Sequence, residues 1–163
     1  MNQSTFEKNV DDRTLTVRRV ISAPIERVWE ALTTSEMLQK WWGPKPYNAV
    51  TKSFEFKEGG KWLYQMKGPS GNDDAWAFFN YEMIDEAGKR YTGNDGFCDE
   101  NGTPDRTLFA PMHWDVSLHE VEGGTEFLTV ITFERIEDMQ KILEMGMQEG
   151  YTIGQNQLEE LLA

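Results

Sequence analysis

Residues 137–162 read EDMQKILEMGMQEGYTIGQNQLEELL, and this stretch decides the fold. Met139, Leu143, Met147, Tyr151, Gly154, Leu158 and Leu161 recur at steps of three or four, which stacks them into one apolar stripe and predicts a single helix over 137–162. About 25 residues at 1.5 Å each reach roughly 37 Å, enough to cross a curled sheet from end to end. Gly146, Gly150 and Gly154 recur every fourth position. Each costs about 1 kcal/mol relative to alanine inside a helix. Tertiary structure must offset that cost, either through close backbone approach or through space left beside the helix. Glu137 and Asp138 put negative charge in the first turn, where the helix dipole favours it. A helix with one apolar stripe needs a surface to cover, and the preceding residues supply one.

From residue 50 to 133 the pattern is that of strands and turns: 50–57, 61–67, 75–84, 90–99, 112–121 and 125–133 are separated by Glu58-Gly59-Gly60, Gly68-Pro69-Ser70-Gly71-Asn72, Asp85-Glu86-Ala87-Gly88, a 100–111 loop and Glu122-Gly123-Gly124. Most gaps suit hairpins, so successive strands pair as an antiparallel meander with one core face. The alternation is clearest at 112–119, where Met112, Trp114, Val116 and Leu118 share one face and His113, Asp115, Ser117 and His119 the other. Ahead of the meander, TLTVRRVI at 14–21 reads as a first strand. Pro24 ends it and opens a short helix carrying Ile25, Val28, Trp29 and Leu32. A second short helix follows Thr34 or Ser35, with Met37, Leu38, Trp41 and Trp42 on its apolar side, and Gly43-Pro44 stops it. The sum is an α+β domain over 13–163, a curved antiparallel sheet with two short helices after the first strand and a long carboxy-terminal helix as its cover; residues 1–12 read as a flexible tail.

Composition restricts the partners. The 163 residues carry a formal charge of -12. Residues 1–81 hold 11 Lys/Arg against 10 Asp/Glu, whereas 82–163 hold 5 against 18, so the second half is the acidic one. Nucleic acid needs a basic face, and only Arg18-Arg19 and scattered lysines offer one; anionic membrane surfaces are disfavoured for the same reason. The single Cys98 forms no internal bridge. With no apolar run long enough to span a membrane and no basic or apolar leader, the expected location is cytoplasmic, as a monomer or homodimer.

The combination SAPIERVWEALTTSEMLQKWWGP (22–44), FKEGGKW (56–62), YTGNDGF (91–97), VEGGTEFLTV (121–130) and GMQEGYTIGQNQLEELLA (146–163) resembles the START-like proteins related to the carboxy-terminal domain of the activator of Hsp90 ATPase, over about residues 14–162. The motif of small residue, Ala, Pro and Val-Trp falls on Ser22, Ala23, Pro24, Val28 and Trp29. The tandem tryptophan with Gly-Pro falls on Trp41, Trp42, Gly43 and Pro44, and the paired glycines with tryptophan fall on Gly59, Gly60 and Trp62. The resemblance implies a helix-grip fold, in which the bent sheet wraps the terminal helix, often around an apolar cavity. It also implies members that bind small hydrophobic molecules, act in stress response, associate with chaperones or, among distant relatives, act as cyclases and lyases. The family's terminal helix commonly has Gly-Trp where this chain has Gly150-Tyr151.

Catalytic motifs do not emerge. His113 and His119 lie about 20 Å apart in an extended strand, too far to share one metal. His113, Asp115 and Ser117 are spaced about 6.7 Å apart, too far for a triad. No nucleophile elbow or phosphate-cradling glycine loop is present, and Cys98 beside Asp99 and Glu100 favours the thiol. No metal ligand set, cofactor site or catalytic residue is therefore assigned. Gln65, Asn80, Glu82, Asn94 and Asp95 are candidate polar groups because strand parity can turn some of them inward, with Glu82 a candidate acid or base if buried. The aromatic surplus is the functional signal. The expected function is noncovalent binding of a small hydrophobic or aromatic molecule between sheet and terminal helix, at Trp42, Phe54, Trp62, Tyr64, Asn80, Glu82, Trp114, Met147, Gly150 and Tyr151. The alternatives are a chaperone-associated module regulating an Hsp90-type ATPase, and a cofactor-free cyclase, isomerase or hydrolase.

Overall fold

The computed structural model describes residues 2–72 and 74–163. Its element order is β1 (Thr5–Asn9), β2 (Thr14–Ile21), α1 (Ile25–Thr33), α2 (Ser35–Trp41), β3 (Asn48–Phe54), β4 (Lys61–Lys67), β5 (Ala75–Asp85), β6 (Arg90–Cys98), β7 (Met112–Val121), β8 (Gly124–Thr132), α3 (Ile136–Glu144) and α4 (Met147–Leu162). All eight strands form one antiparallel sheet in the order β1-β2-β8-β7-β6-β5-β4-β3. β3 to β8 are the expected meander. The fold is that of a helix grip, a curved sheet packed against helices that include a long carboxy-terminal one.

Two features depart from the sequence pattern. Residues 5–9, assigned to the tail, form an edge strand whose Phe6 faces Val17 across the β1–β2 ladder. The terminal segment is two helices rather than one. Gly146 adopts φ 90°, a left-handed conformation that closes α3 and serves as the amino-terminal cap of α4. The apolar stripe runs through this break because a helical period constrains side-chain direction within each helix and says nothing about the residue between them. The other two glycines play different parts. A Cβ on Gly154 would meet the Trp41 and Trp42 carbonyl oxygens at 3.4 and 3.6 Å, so α4 closely approaches the end of α2 there. Gln157 Nε2 fastens the same approach by donating to the carbonyls of Trp41 and Gly43, each at 2.8 Å. A Cβ on Gly150 would meet only Pro44 Cγ, at 3.7 Å, which leaves space beside the helix.

The core lies on the inner face of the sheet. Met112, Trp114, Val116 and Leu118 of β7 all turn into it, as their alternation predicts. Phe127 and Ile131 of β8, Ala77, Phe79 and Tyr81 of β5 and Trp62 and Tyr64 of β4 join them against α1, α2 and α4. α1 buries Val28, Trp29, Ala31 and Leu32, and α4 buries Tyr151, Gly154, Gln155, Leu158 and Leu162. A small second cluster of Leu63, Phe78 and Cys98 sits on the outer face, where residues 99–104 fold back through a bridge between Cys98 and Pro104.

Candidate functional site, a cavity under the terminal helices

Between the inner face and the helices lies a cavity of about 210 Å³ that opens to solvent. β4 gives it Tyr64 and Met66, β5 gives Ala77, β6 gives Asp95, Gly96 and Phe97, and β7 gives Met112 and Trp114. Trp42 and Pro44 enter from the end of α2, Ile142 from α3, and Met147, Gly150 and Tyr151 from α4. Phe109 completes the wall from the β6–β7 loop. That loop is tied to α3, because Asp138 Oδ2 accepts from the Ala110 amide at 3.2 Å and Lys141 Nζ donates to the Leu108 carbonyl at 2.9 Å. The break at Gly146 thus separates a helix that holds the loop from one that roofs the cavity.

Aromatic rings fix the shape of the inner wall. Trp42 is the hub, with ring centroids 5.9 Å from Trp62, 6.0 Å from Trp114 and 6.1 Å from Tyr151. Trp114 and Tyr151 meet edge to face at 5.8 Å. These contacts are tilted or edge-on, the arrangement ring quadrupoles prefer. The polar tips are bonded, so the wall presents carbon: Trp42 Nε1 donates to the Tyr64 hydroxyl at 2.9 Å, and the Tyr151 hydroxyl pairs with Thr129 Oγ1 at 3.0 Å. Burial above all holds the Tyr64 and Tyr151 phenols far above their ordinary range, so both stay neutral.

One acidic side chain is among the described residues that line this wall. Asp95 projects inward from β6, opposite Phe79 on β5 and Met112 on β7. Its Oδ1 accepts a short hydrogen bond from Trp114 Nε1, and no lysine, arginine or histidine is among the described lining residues. Burial, only partly offset by that donor, pushes the carboxyl up to about 7. Protein atoms surround the group on most sides while part of it stays accessible, consistent with its place on the cavity wall.

Of the ten residues expected at the site, Trp42, Tyr64, Trp114, Met147, Gly150 and Tyr151 line this cavity. Trp62 lies behind it, stacked on Tyr64 at 3.9 Å and bordering a separate void of about 20 Å³. Phe54 packs farther off against Trp62 and Tyr81. Asn80 and Glu82 do not join the site. Ala77, Phe79 and Tyr81 take the inner face of β5, so the intervening positions take the outer one. There Glu82 accepts from Thr92 Oγ1 at 3.1 Å and meets His113 Nε2 at 3.3 Å, with its side chain 58% exposed. The acid or base role conditional on its burial therefore lapses. Asp95 was one of five polar candidates, but only pairing register separates it from Asn94. Met66 shares strand parity with Tyr64, and Phe97 with Asp95, a signal sufficient to find them. Phe109 carries no such signal, since it lies in a loop. Cys98 is buried on the outer face, where burial and Asp99 push its thiol up to about 11, away from nucleophilic use.

Residues 22–163 match the sequence profile of the family described as Activator of Hsp90 ATPase homolog 1-like protein. The chain belongs to this family. Among solved structures, one from Mycobacterium smegmatis is 30% identical, with 98% of this chain and 96% of that chain covered and a TM-score of 0.88. A solution structure from Arthrobacter aurescens is 32% identical over 97% of this chain and 90% of that one, also with a TM-score of 0.88. Another from Staphylococcus epidermidis is 27% identical, covers 97% and 93%, and has a TM-score of 0.83. No curated protein sequence matches the chain. In this member of the Activator of Hsp90 ATPase homolog 1-like family, the tyrosine of Gly150-Tyr151 directs its ring into the cavity wall and its hydroxyl to Thr129 on β8. No described helix is long and apolar enough to cross a membrane.

Proposed function

We propose that this protein binds a small hydrophobic or aromatic molecule noncovalently in the cavity between the inner sheet face and the terminal helices. The observation that carries the reading is the cavity itself: about 210 Å³ of space walled by aromatic and methionine side chains whose polar tips are bonded elsewhere. Such a wall gains by removing apolar ligand surface from water, about 25 cal/mol per Å² before association costs. Gly150 supplies the test, because its missing side chain leaves room beside α4. Gly150→Trp should fill the space, lowering affinity for the fluorescent probe N-phenyl-1-naphthylamine at least ten-fold while circular dichroism shows the fold retained. Unchanged affinity would reject this placement, and native mass spectrometry of the purified protein would reveal any guest carried through purification.

A second reading is favoured by the family match, whose description names an activator of Hsp90 ATPase. On that reading the domain is a chaperone-associated module, and purified Hsp90 should bind it and change its rate of ATP turnover. If neither occurs, the reading fails. A cofactor-free enzyme centred on Glu82 has no such support, since that carboxylate stands on the opposite face from the cavity.

A further inference from the structure

We infer that the cavity selects a cationic guest, a protonated amine with an aromatic or aliphatic body, and that Asp95 is the residue that holds the ammonium group. This rests on the ligand-binding reading above and specifies its chemistry. Three observations carry it. Asp95 is the only charged residue among the described lining residues, and its one hydrogen-bond donor among them is a neutral indole. A carboxylate so enclosed lacks a counter-charge, which an ammonium would supply. The rings of Trp42, Trp114 and Tyr151 stand around the same space, and their faces attract cations. Finally, the net charge of -12 favours the approach of cations and disfavours anions. A guest carboxylate would meet Asp95 with like charge and no compensating base.

The titratable groups around Asp95 do not confuse the test. Tyr64 on β4, Tyr91 on β6 and Tyr151 on α4 are all held neutral by burial, so Asp95 alone changes charge near neutral pH on this wall. The amine remains protonated well above that range. Its affinity should therefore follow the ionised fraction of Asp95, falling about ten-fold from pH 8 to pH 6.

The experiment compares 2-(1-naphthyl)ethylamine, the matched neutral 2-(1-naphthyl)ethanol and the anion 1-naphthylacetate by calorimetry on the full chain. The Trp114 indole N–H resonance reports engagement, because that group donates to Asp95. The expected result at pH 8 is that the amine binds at least ten-fold tighter than the alcohol and the anion most weakly. Asp95→Asn should bring the amine's affinity down to that of the alcohol and remove its pH dependence, with circular dichroism showing the fold retained. If the alcohol binds as tightly as the amine in the unaltered chain, or Asp95→Asn keeps the preference for the amine, cation selection by Asp95 is overturned and the cavity reading survives. If none of the three binds or shifts the Trp114 resonance, both are overturned.

Discussion

Two carboxylates lie beneath the terminal helices, and their surroundings are opposite. Glu159, on the buried side of α4, meets Arg19 of β2, whose Nε donates at 3.0 Å; the two side chains are 8% and 0% exposed. Arg19 also donates to Ser4 Oγ at 3.0 Å, and Ser4 in turn bonds Gln155 at 2.5 Å. Asp95 has one indole donor and no cation among the described lining residues. The Arg19–Glu159 end is electrically closed and fixes how α4 lies on the sheet. The Asp95 end is left open beside empty space. A buried charge that is already paired serves the fold, whereas one left without a partner points to something outside the chain.

The contrast can be broken most severely at its closed end. Arg19→Met leaves Glu159 buried without its cation and should cost about 3–5 kcal/mol, measured by urea unfolding. Pairing that change with Glu159→Leu should recover most of the loss, because it removes the stranded charge. If Arg19→Met alone costs nothing, the two ends do not differ as described.

Asp95→Asn should act in the opposite direction. Because the folded carboxyl is raised to about 7 from an ordinary value of 3.8, the folded protein keeps a proton that the unfolded chain releases between these limits. Stability from this group is therefore full below about pH 4 and is lost as the pH rises to 7. Asparagine removes that slope and still offers an oxygen to Trp114. The variant should match the original chain near pH 4 and exceed it by about 1–3 kcal/mol at pH 8, a figure reduced for water reaching the carboxylate through the cavity mouth. Equal denaturation midpoints across this range would show that Asp95 is no less solvated than a surface carboxylate.

The smallest effect belongs to the outer face. Glu82→Gln removes the negative charge from an exposed contact with His113 and should change stability by less than about 0.5 kcal/mol, with cavity affinity unaltered. A change in cavity affinity would mean that the outer face communicates with the cavity.

Much of this arrangement is legible in the residues. Alternation at Met112–Leu118 identifies the face that Trp114 shares with the core, and a helical period brings Tyr151 and Leu158 to the same side. Asn80 and Glu82 show where such reasoning stops. Parity divides a strand into two sets of residues, but which set is buried depends on what packs against each face, and aromatic Trp76 and Phe78 on the outer set make β5 apolar on both sides. Phe109 marks another boundary, since its loop gains a position only through Asp138 and Lys141 of α3.

By itself, then, the sequence determined the order of the elements from β2 to β8, the meander, the inward face of β7 and the apolar side of the terminal segment, because these follow from backbone periodicity and local turn chemistry. Tertiary structure alone decided that Gly146 breaks the helix, that Arg19 closes on Glu159 across 140 residues, and that Asp95 faces a cavity without a counter-ion. Periodicity acts over one turn or one pleat, whereas charge compensation and empty space arise only where distant segments meet.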